Sequence, residues 1–302
     1  MNLSRLDDLA ASERIIRTCI ESFGFAPEHT YESFVDSAEE GWSSAFFMND
    51  AGNGLMAYHI EKDDEWMVLV DAVAPSLSRA QMFSSFLSYA LIESKAEAVY
   101  VQCLSETRKE LVTLADPALR LRRTSEKFMW PVLDLKTYDP SLADPRMKPL
   151  RNVRNRFSRE HTLDVVLHAS LPKEPLHTIV DLWKKNRPAK HRAYAAEYHT
   201  LIDEDFRGTE GALVFVVDGK PEAISASWPI PNSRGLYHSI ALHTYAYWGL
   251  GEILMLKSLE RMEQSQYDFV NLGGSDANLL AFKQKFGNTE TYTTEYFSVV
   301  RS

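Results

Sequence analysis

Three stretches carry residue types at spacings that could handle an anion or an acyl group. The first, HTYAYWGLG at 243–251, ends a strand-like run beginning at Tyr237 and opens the amphipathic segment EILMLKSLERMEQ. A chain that passes from strand to helix through Gly249, Leu250 and Gly251 presents unpaired backbone N–H groups at a positive dipole end, which suits a phosphate or an oxyanion. A tight turn that needs glycine only for its dihedrals explains the same residues. The second stretch, YDFVNLGGSDANLLAFKQKFG at 267–287, reads as a strand ending in Gly273-Gly274 and then a short helix. Asp276 stands where it would cap that helix, and it could also orient an incoming amine.

The third stretch, LRNVRNRFSR at 150–159, places Arg151 and Arg154 on one helix face, with Arg156 and Arg159 turned partly away. A guanidinium cluster is a bidentate clamp for phosphate or carboxylate, and it is equally the composition of a solvated helix face. Nucleophilic and metal chemistry find no footing. There is no GxSxG, no HExxH and no Cys/His ligand spacing, and the nine histidines are scattered. His238 and His243, the two near the candidate site, read as core residues. Direct transfer without a covalent enzyme intermediate is therefore the economical chemistry.

The elements that must position these residues are legible from periodicity and turn signals. With 302 residues, two domains are the natural expectation. Helices are expected at 11–23, 30–40 and 78–95, with strands at 44–48, 55–61 and 66–73 between them, then a buried-looking strand in AVYVQCL. YDPSLADPRMKP at 138–149 carries three prolines and marks the connection between domains. Beyond it come helices at 176–185 and 193–203 and a hairpin turning at Asp218-Gly219. The second half thus repeats the order of the first.

Composition narrows the function classes. A formal charge of −9 argues against a surface that grips nucleic acid or anionic lipid non-specifically, while leaving room for a local basic groove. The two cysteines, Cys19 and Cys103, indicate neither a disulfide framework nor a metal site, so no metal is expected and a reducing cytoplasm fits. No stretch approaches the apolar length of a membrane span, and the first residues do not read as a signal peptide.

The run Asn271, Leu272, Gly273, Gly274, followed by LAFKQKFG at 280–287, resembles the C-terminal signature of the FemABX and related transferases. The wider layout resembles the domain at the C-terminus of phosphatidylglycerol lysyltransferases. The resemblance covers the second half of the chain most clearly and the first half as an order of elements. It implies an α/β (α+β) fold of two tandem GNAT-like, that is acyl-CoA N-acyltransferase-like, domains, each a central mixed sheet flanked by helices. In chain order these are 1–138 and 150–302, with the candidate site in the second. The turn at 74–79 holds Pro75 and no glycine where the first half would need a phosphate-binding turn, so that half is expected to be a structural copy.

What the resemblance implies for chemistry is acyl transfer to an amine or hydroxyl acceptor, small molecule or peptide, from an aminoacyl-tRNA or an acyl-CoA. It assigns Lys283, in the Phe282-Lys283 pair, to stabilising the oxyanion, because a positioned ammonium favours the developing charge over the ground state. Gly249, Leu250, Gly251, Gly273, Gly274, Phe282, Arg151 and Arg154 are then the expected contacts to substrate or cofactor. The acyl-CoA loop of GNAT enzymes usually opens on glutamine or arginine, and here that place holds Ala246, which weakens the CoA alternative. A non-catalytic tandem-GNAT binding protein is the reading from a different class.

Overall fold

The computed structural model describes residues 2–36, 41–187, 195–287 and 289–302. The first half of the chain runs β1 (Leu3–Leu6), α1 (Leu9–Phe23), α2 (Tyr31–Asp36), β2 (Trp42–Asn49), β3 (Gly54–Ile60), β4 (Glu65–Val68), α3 (Ser76–Ser88), β5 (Ala98–Leu104), α4 (Ser105–Leu114), β6 (Leu119–Leu121) and β7 (Glu126–Asp134). The second half runs α5 (Lys148–Glu160), β8 (Leu163–Leu167), α6 (Lys173–Lys185), α7 (Ala195–Asp203), β9 (Leu213–Val217), β10 (Lys220–Ile230), β11 (Gly235–His243), α8 (Leu250–Glu263), β12 (Phe269–Asn271), α9 (Ala277–Lys283) and β13 (Thr289–Arg301). Apart from α5 and β6, the two halves match element for element.

All of these strands join one mixed sheet in the order β1-β2-β3-β4-β5-β13-β7-β12-β11-β10-β9-β8, with β6 added beside β13. Its symmetry lies at the centre. Each half contains one parallel pair, β4 with β5 and β11 with β12, and a helix crosses between the partners. The last strand of each half then pairs with the other half. β13 lies against β5, from Thr294 opposite Leu104 to Val299 opposite Val99, while β7 lies against β12. β13 and β7 pair with each other from Thr289 opposite Leu133 to Tyr296 opposite Glu126. The chain-order halves therefore exchange their final strands across the middle of the sheet.

Burial follows the pattern of each element. Phe47, Trp66, Phe83 and Phe86 fill one core over the first half, and Ile16, Phe34 and Phe46 fill a second on the opposite face. Over the second half, Leu250, Leu254, Leu259 and Phe286 pack on one side and Ile179, Trp183, Val214 and Ile240 on the other. Strands covered on both faces read as nearly continuous apolar runs, as LVFVV in β9 does.

Several boundaries differ from the sequence expectations. The strand expected over 66–73 leaves its parallel ladder after Val68, because Gly54 and Val73 exchange both backbone hydrogen bonds and pull the chain aside. The helix expected over 78–95 ends as α at Ser88 and closes in a wider turn, in which the Ser94 N–H reaches the Tyr89 carbonyl. The expected helices at 30–40 and 193–203 are seen as α2 and α7, and residues 37–40, 193 and 194 lie outside the described residues. No described helix is long and apolar enough to cross a membrane.

Candidate active site

The segment that follows β12 is held by its own side chains. The Asn271 carboxamide oxygen accepts the Gly273 N–H at 2.8 Å, and its amide nitrogen donates to the Tyr292 hydroxyl at 2.9 Å. Gly273 adopts φ +85°, a conformation that disfavours any Cβ, and it turns its carbonyl toward α9. There the Lys283 ammonium donates to the Gly273 oxygen at 3.0 Å, and the Ser275 hydroxyl donates to the same atom at 3.0 Å. Asp276 caps α9 as expected, its carboxylate accepting the Leu279 N–H at 2.9 Å.

Lys283 is half-buried and points inward. Burial lowers its pKa to about 8, and the charge of Asp276 opposes that shift. A Cβ on Gly273 would lie 3.4 Å from Lys283 Nζ and 3.5 Å from the Tyr237 ring, so the ammonium, this backbone turn and Tyr237 meet at one point. That point sits where parallel strands β11 and β12 part company, since Tyr237 is opposite Asn271 at the last register position of the pair. Gly274 comes so close to the Trp130 ring that a Cβ would be 3.1 Å away. Phe282 turns the other way and packs edge-on against buried Phe286 at 5.3 Å.

The glycine turn before α8 is accounted for by packing. Gly249 has φ +78°, and a Cβ there would stand 2.7 Å from Val153 of α5; one on Gly251 would stand 3.2 Å from His243 Nε2. Leu250 is fully buried. The start of α8 has no side-chain cap, so backbone donors remain at its N-terminus. This turn neighbours α9, because Lys285 reaches Glu252 at 3.5 Å. His238 bonds the Ser225 hydroxyl at 2.9 Å in the core and has its pKa lowered to about 3 by burial; the same cause lowers His243 to about 4.

Arg151 and Arg154 do not face this site. Arg151 donates to the carbonyls of Leu142 and, at 2.8 Å, of Asp144, and Arg154 donates to those of Pro140 at 2.8 Å and Ser141 at 3.2 Å. Both guanidinium groups tie α5 to the inter-half connection. The outer face of the same helix keeps its charge in solvent, with Arg156 stacked 4.5 Å over the exposed Trp248 ring.

A cavity of about 320 Å³ opens on the sheet where the exchanged strands meet. Its floor crosses the seam through Gln102 of β5, Tyr292 and Thr294 of β13, Trp130 of β7 and Asn271 of β12. Its roof comes from both halves, the 25–28 loop after α1 and the turn after β10. The Asn232 amide joins those two roof segments, donating to the carbonyls of Ile20 at 3.2 Å and Gly24 at 2.8 Å. Trp130 is fixed by its indole N–H on the Thr294 hydroxyl at 2.9 Å and stacks on Tyr292 at 5.8 Å, while Tyr237 lies 6.2 Å from the indole. Asn271 thus serves two places at once, lining the cavity and fixing the Gly273 turn.

Glu28 enters this cavity from the roof, and burial raises its pKa to about 8. Sequence reasoning missed Glu28, Trp130, Tyr292 and Thr294. Tyr292 and Thr294 had a signal, the alternation of TYTTEYFSVV, which puts them on one face of a strand without saying which face is a cavity.

The family model for the C-terminal domain of phosphatidylglycerol lysyltransferase matches residues 28–293. No curated protein sequence matches the chain. Among solved structures, the chain is similar to L-PGS from Bacillus licheniformis, with TM-score 0.67 and 16% identity over 95% of this chain and 91% of that one. It is also similar to a tandem GNAT protein from the clavulanic acid biosynthesis pathway, with TM-score 0.61 and 13% identity over 99% and 98% of the two chains. A third similar structure is FemX, with TM-score 0.61 and 11% identity over 99% and 97%. At these identities the likeness establishes the tandem GNAT-like fold.

Proposed function

The chain belongs to the phosphatidylglycerol lysyltransferase C-terminal family, and from that premise we propose that it is an acyl-group transferase. In this reading it moves an aminoacyl group from aminoacyl-tRNA to an amine or hydroxyl acceptor, which attacks the donor ester directly. The supporting observation is the Lys283 ammonium, drawn inward onto one backbone carbonyl beside Tyr237 and Gly273. An ammonium has three donors, and only one of them is bonded among the described residues, so the others can meet an oxyanion as it forms. Partial burial strengthens that interaction by excluding water. Asp276 opposes the loss of the Lys283 proton and fixes the start of the helix that carries it.

An aminoacyl-tRNA donor is supported by the exposed face of α5, which carries Lys148, Arg156 and Arg159 on an otherwise acidic protein, with Arg156 over Trp248 and paired with Glu160 at 2.9 Å. It also places the reaction in the cytoplasm. A CoA donor is the second reading, favoured by the uncapped start of α8; against it stand Ala246 in place of a polar side chain and Val153 packed over Gly249.

Purified protein incubated with labelled aminoacyl-tRNAs, and separately with labelled acetyl-CoA, distinguishes the donors by which label is discharged to added acceptors. Discharge of the tRNA ester, lost in Lys283→Ala, is the expected result. Discharge of acetyl-CoA alone moves the CoA reading to first place, and binding without discharge of either makes the protein a non-catalytic binder.

A further inference from the structure

The central cavity is lined by acids and, among the described residues, by no basic side chain. Its lining contains three carboxyl groups, Glu28, Asp71 and Glu106, and no Lys, Arg or His among the described residues. Asp71 is internally satisfied, accepting from the Thr107 hydroxyl at 2.8 Å and from the Leu104 and Ala72 N–H groups. Arg79, whose charge acts on Asp71, lies over the Phe25 ring at 3.4 Å and donates to the Ala74 carbonyl. Neighbouring His29 is locked neutral, its Nδ1 taking the Phe25 and Ala26 N–H groups and its Nε2 facing the Asp71 carbonyl at 2.8 Å. The Glu28 carboxyl, by contrast, has no side-chain partner among the described residues. The rings of Phe25, Trp130, Phe269 and Tyr292 line the same cavity.

A half-buried carboxyl lining an aromatic cavity favours its neutral form unless a cation joins it, because desolvation disfavours the charged form. A compact organic ammonium satisfies every wall of such a space, pairing with the carboxylate and resting on ring faces. About 320 Å³ is the size of a small-ligand site. We propose that this cavity binds the acceptor as a primary ammonium, with Glu28 as its counter-ion and proton acceptor, so that the acceptor is an amine and not a hydroxyl. Only the step after binding rests on the transfer reading above. In that step the ammonium gives one proton to the Glu28 carboxylate, and the free amine nitrogen bonds to the donor carbonyl carbon. The bond from that carbon to the ribose oxygen breaks, the second nitrogen proton ends on the departing oxygen, and Glu28 returns its proton to water. Asn271 lines the cavity and holds the Gly273 turn on which Lys283 rests, which connects the amine site to the oxyanion stabiliser.

The test uses n-butylammonium chloride as the probe and n-butanol as its neutral match, by thermal shift and titration calorimetry at pH 7. The amine should raise Tm by roughly 2–4 °C in the wild type while n-butanol leaves it unchanged, the behaviour of a ligand that binds only the folded state. Binding should release a proton from Glu28, read as a heat that scales with the ionisation enthalpy of the buffer. Glu28→Gln, nearly isosteric, should lose both the shift and the proton release, and Glu28→Asp should retain part of each. Equal shifts in the wild type and Glu28→Gln, or equal shifts from the amine and the alcohol, would overturn the proposal. Lys283→Ala should bind the probe normally. Probe binding in a wild type that transfers no acyl group therefore sinks the transfer reading alone, whereas transfer to alcohols without probe binding sinks this one alone.

Discussion

The Lys283 ammonium and the Gly273 carbonyl oxygen are 3.0 Å apart, across a turn that only a residue tolerant of φ +85° adopts easily. The contact joins the end of α9 to the end of β12 and gives a partly desolvated charge one fixed anchor. Because desolvation works against that charge, the site carries its lysine at some expense in stability.

Replacing Lys283 should therefore separate stability from activity. Lys283→Met should melt at or slightly above the wild-type temperature at pH 7, where the wild type still keeps its buried charge. Transfer should fall about a hundredfold or more, the scale of losing one preorganised donor. The loss should appear in kcat, and Lys283→Arg should rescue in part. A Lys283 variant with unchanged kcat removes it from the mechanism.

The pH profile should follow the same group. Its pKa lies near 8, below the ordinary lysine value, so the ammonium is present at pH 7 and lost as pH rises through 8. Transfer should decline on the alkaline side with a midpoint near that value. Moderate changes in salt should leave the midpoint nearly in place, because a partly buried group is weakly screened.

Glu28 gives an opposite and separable signature in stability. Its pKa is raised from 4.5 to about 8, so below pH 4.5 the carboxyl is neutral whether the chain is folded or not, and its burial carries no penalty there. The penalty grows as pH climbs from 4.5 to 8, with a slope of up to about 1.4 kcal/mol per pH unit. Glu28→Gln should be close to wild type at pH 4.5 and more stable at pH 8, in denaturant titrations at the two values. Identical curves for the two proteins at pH 8 contradict the assignment.

Gly249 offers a test of what its turn is for. Gly249→Ala combines a positive φ with a Cβ 2.7 Å from Val153 and should cost about 1–3 kcal/mol. Adding Val153→Ala should recover the steric part and leave the conformational part, a coupling that a double-mutant cycle measures.

Much of this arrangement was legible before the fold was known. Local rules decide the cap at Asp276 and the turn at Gly273, and both were read from neighbouring residues. The repeat of elements showed in periodicity, and the signature from Asn271 to Gly287 pointed to the tandem fold. Arg151 and Arg154 illustrate the limit. Their shared helix face was correct, but only the folded chain reveals the 140–144 carbonyls that receive them. Glu28 shows a different limit. Nothing in FGFAPEHT announces a carboxyl facing a cavity, because its environment is assembled from segments of both halves of the chain that are distant in sequence.

The exchange of terminal strands has a consequence for how the protein is made. β5 is synthesised early and lacks one of its neighbours until β13 has been translated. Until then the first half presents an open, largely apolar sheet edge, of the kind that invites pairing with other chains. The nascent chain therefore cannot complete its first half ahead of its second. Both mature together, and the cavity at their seam exists only once β13 has joined the sheet.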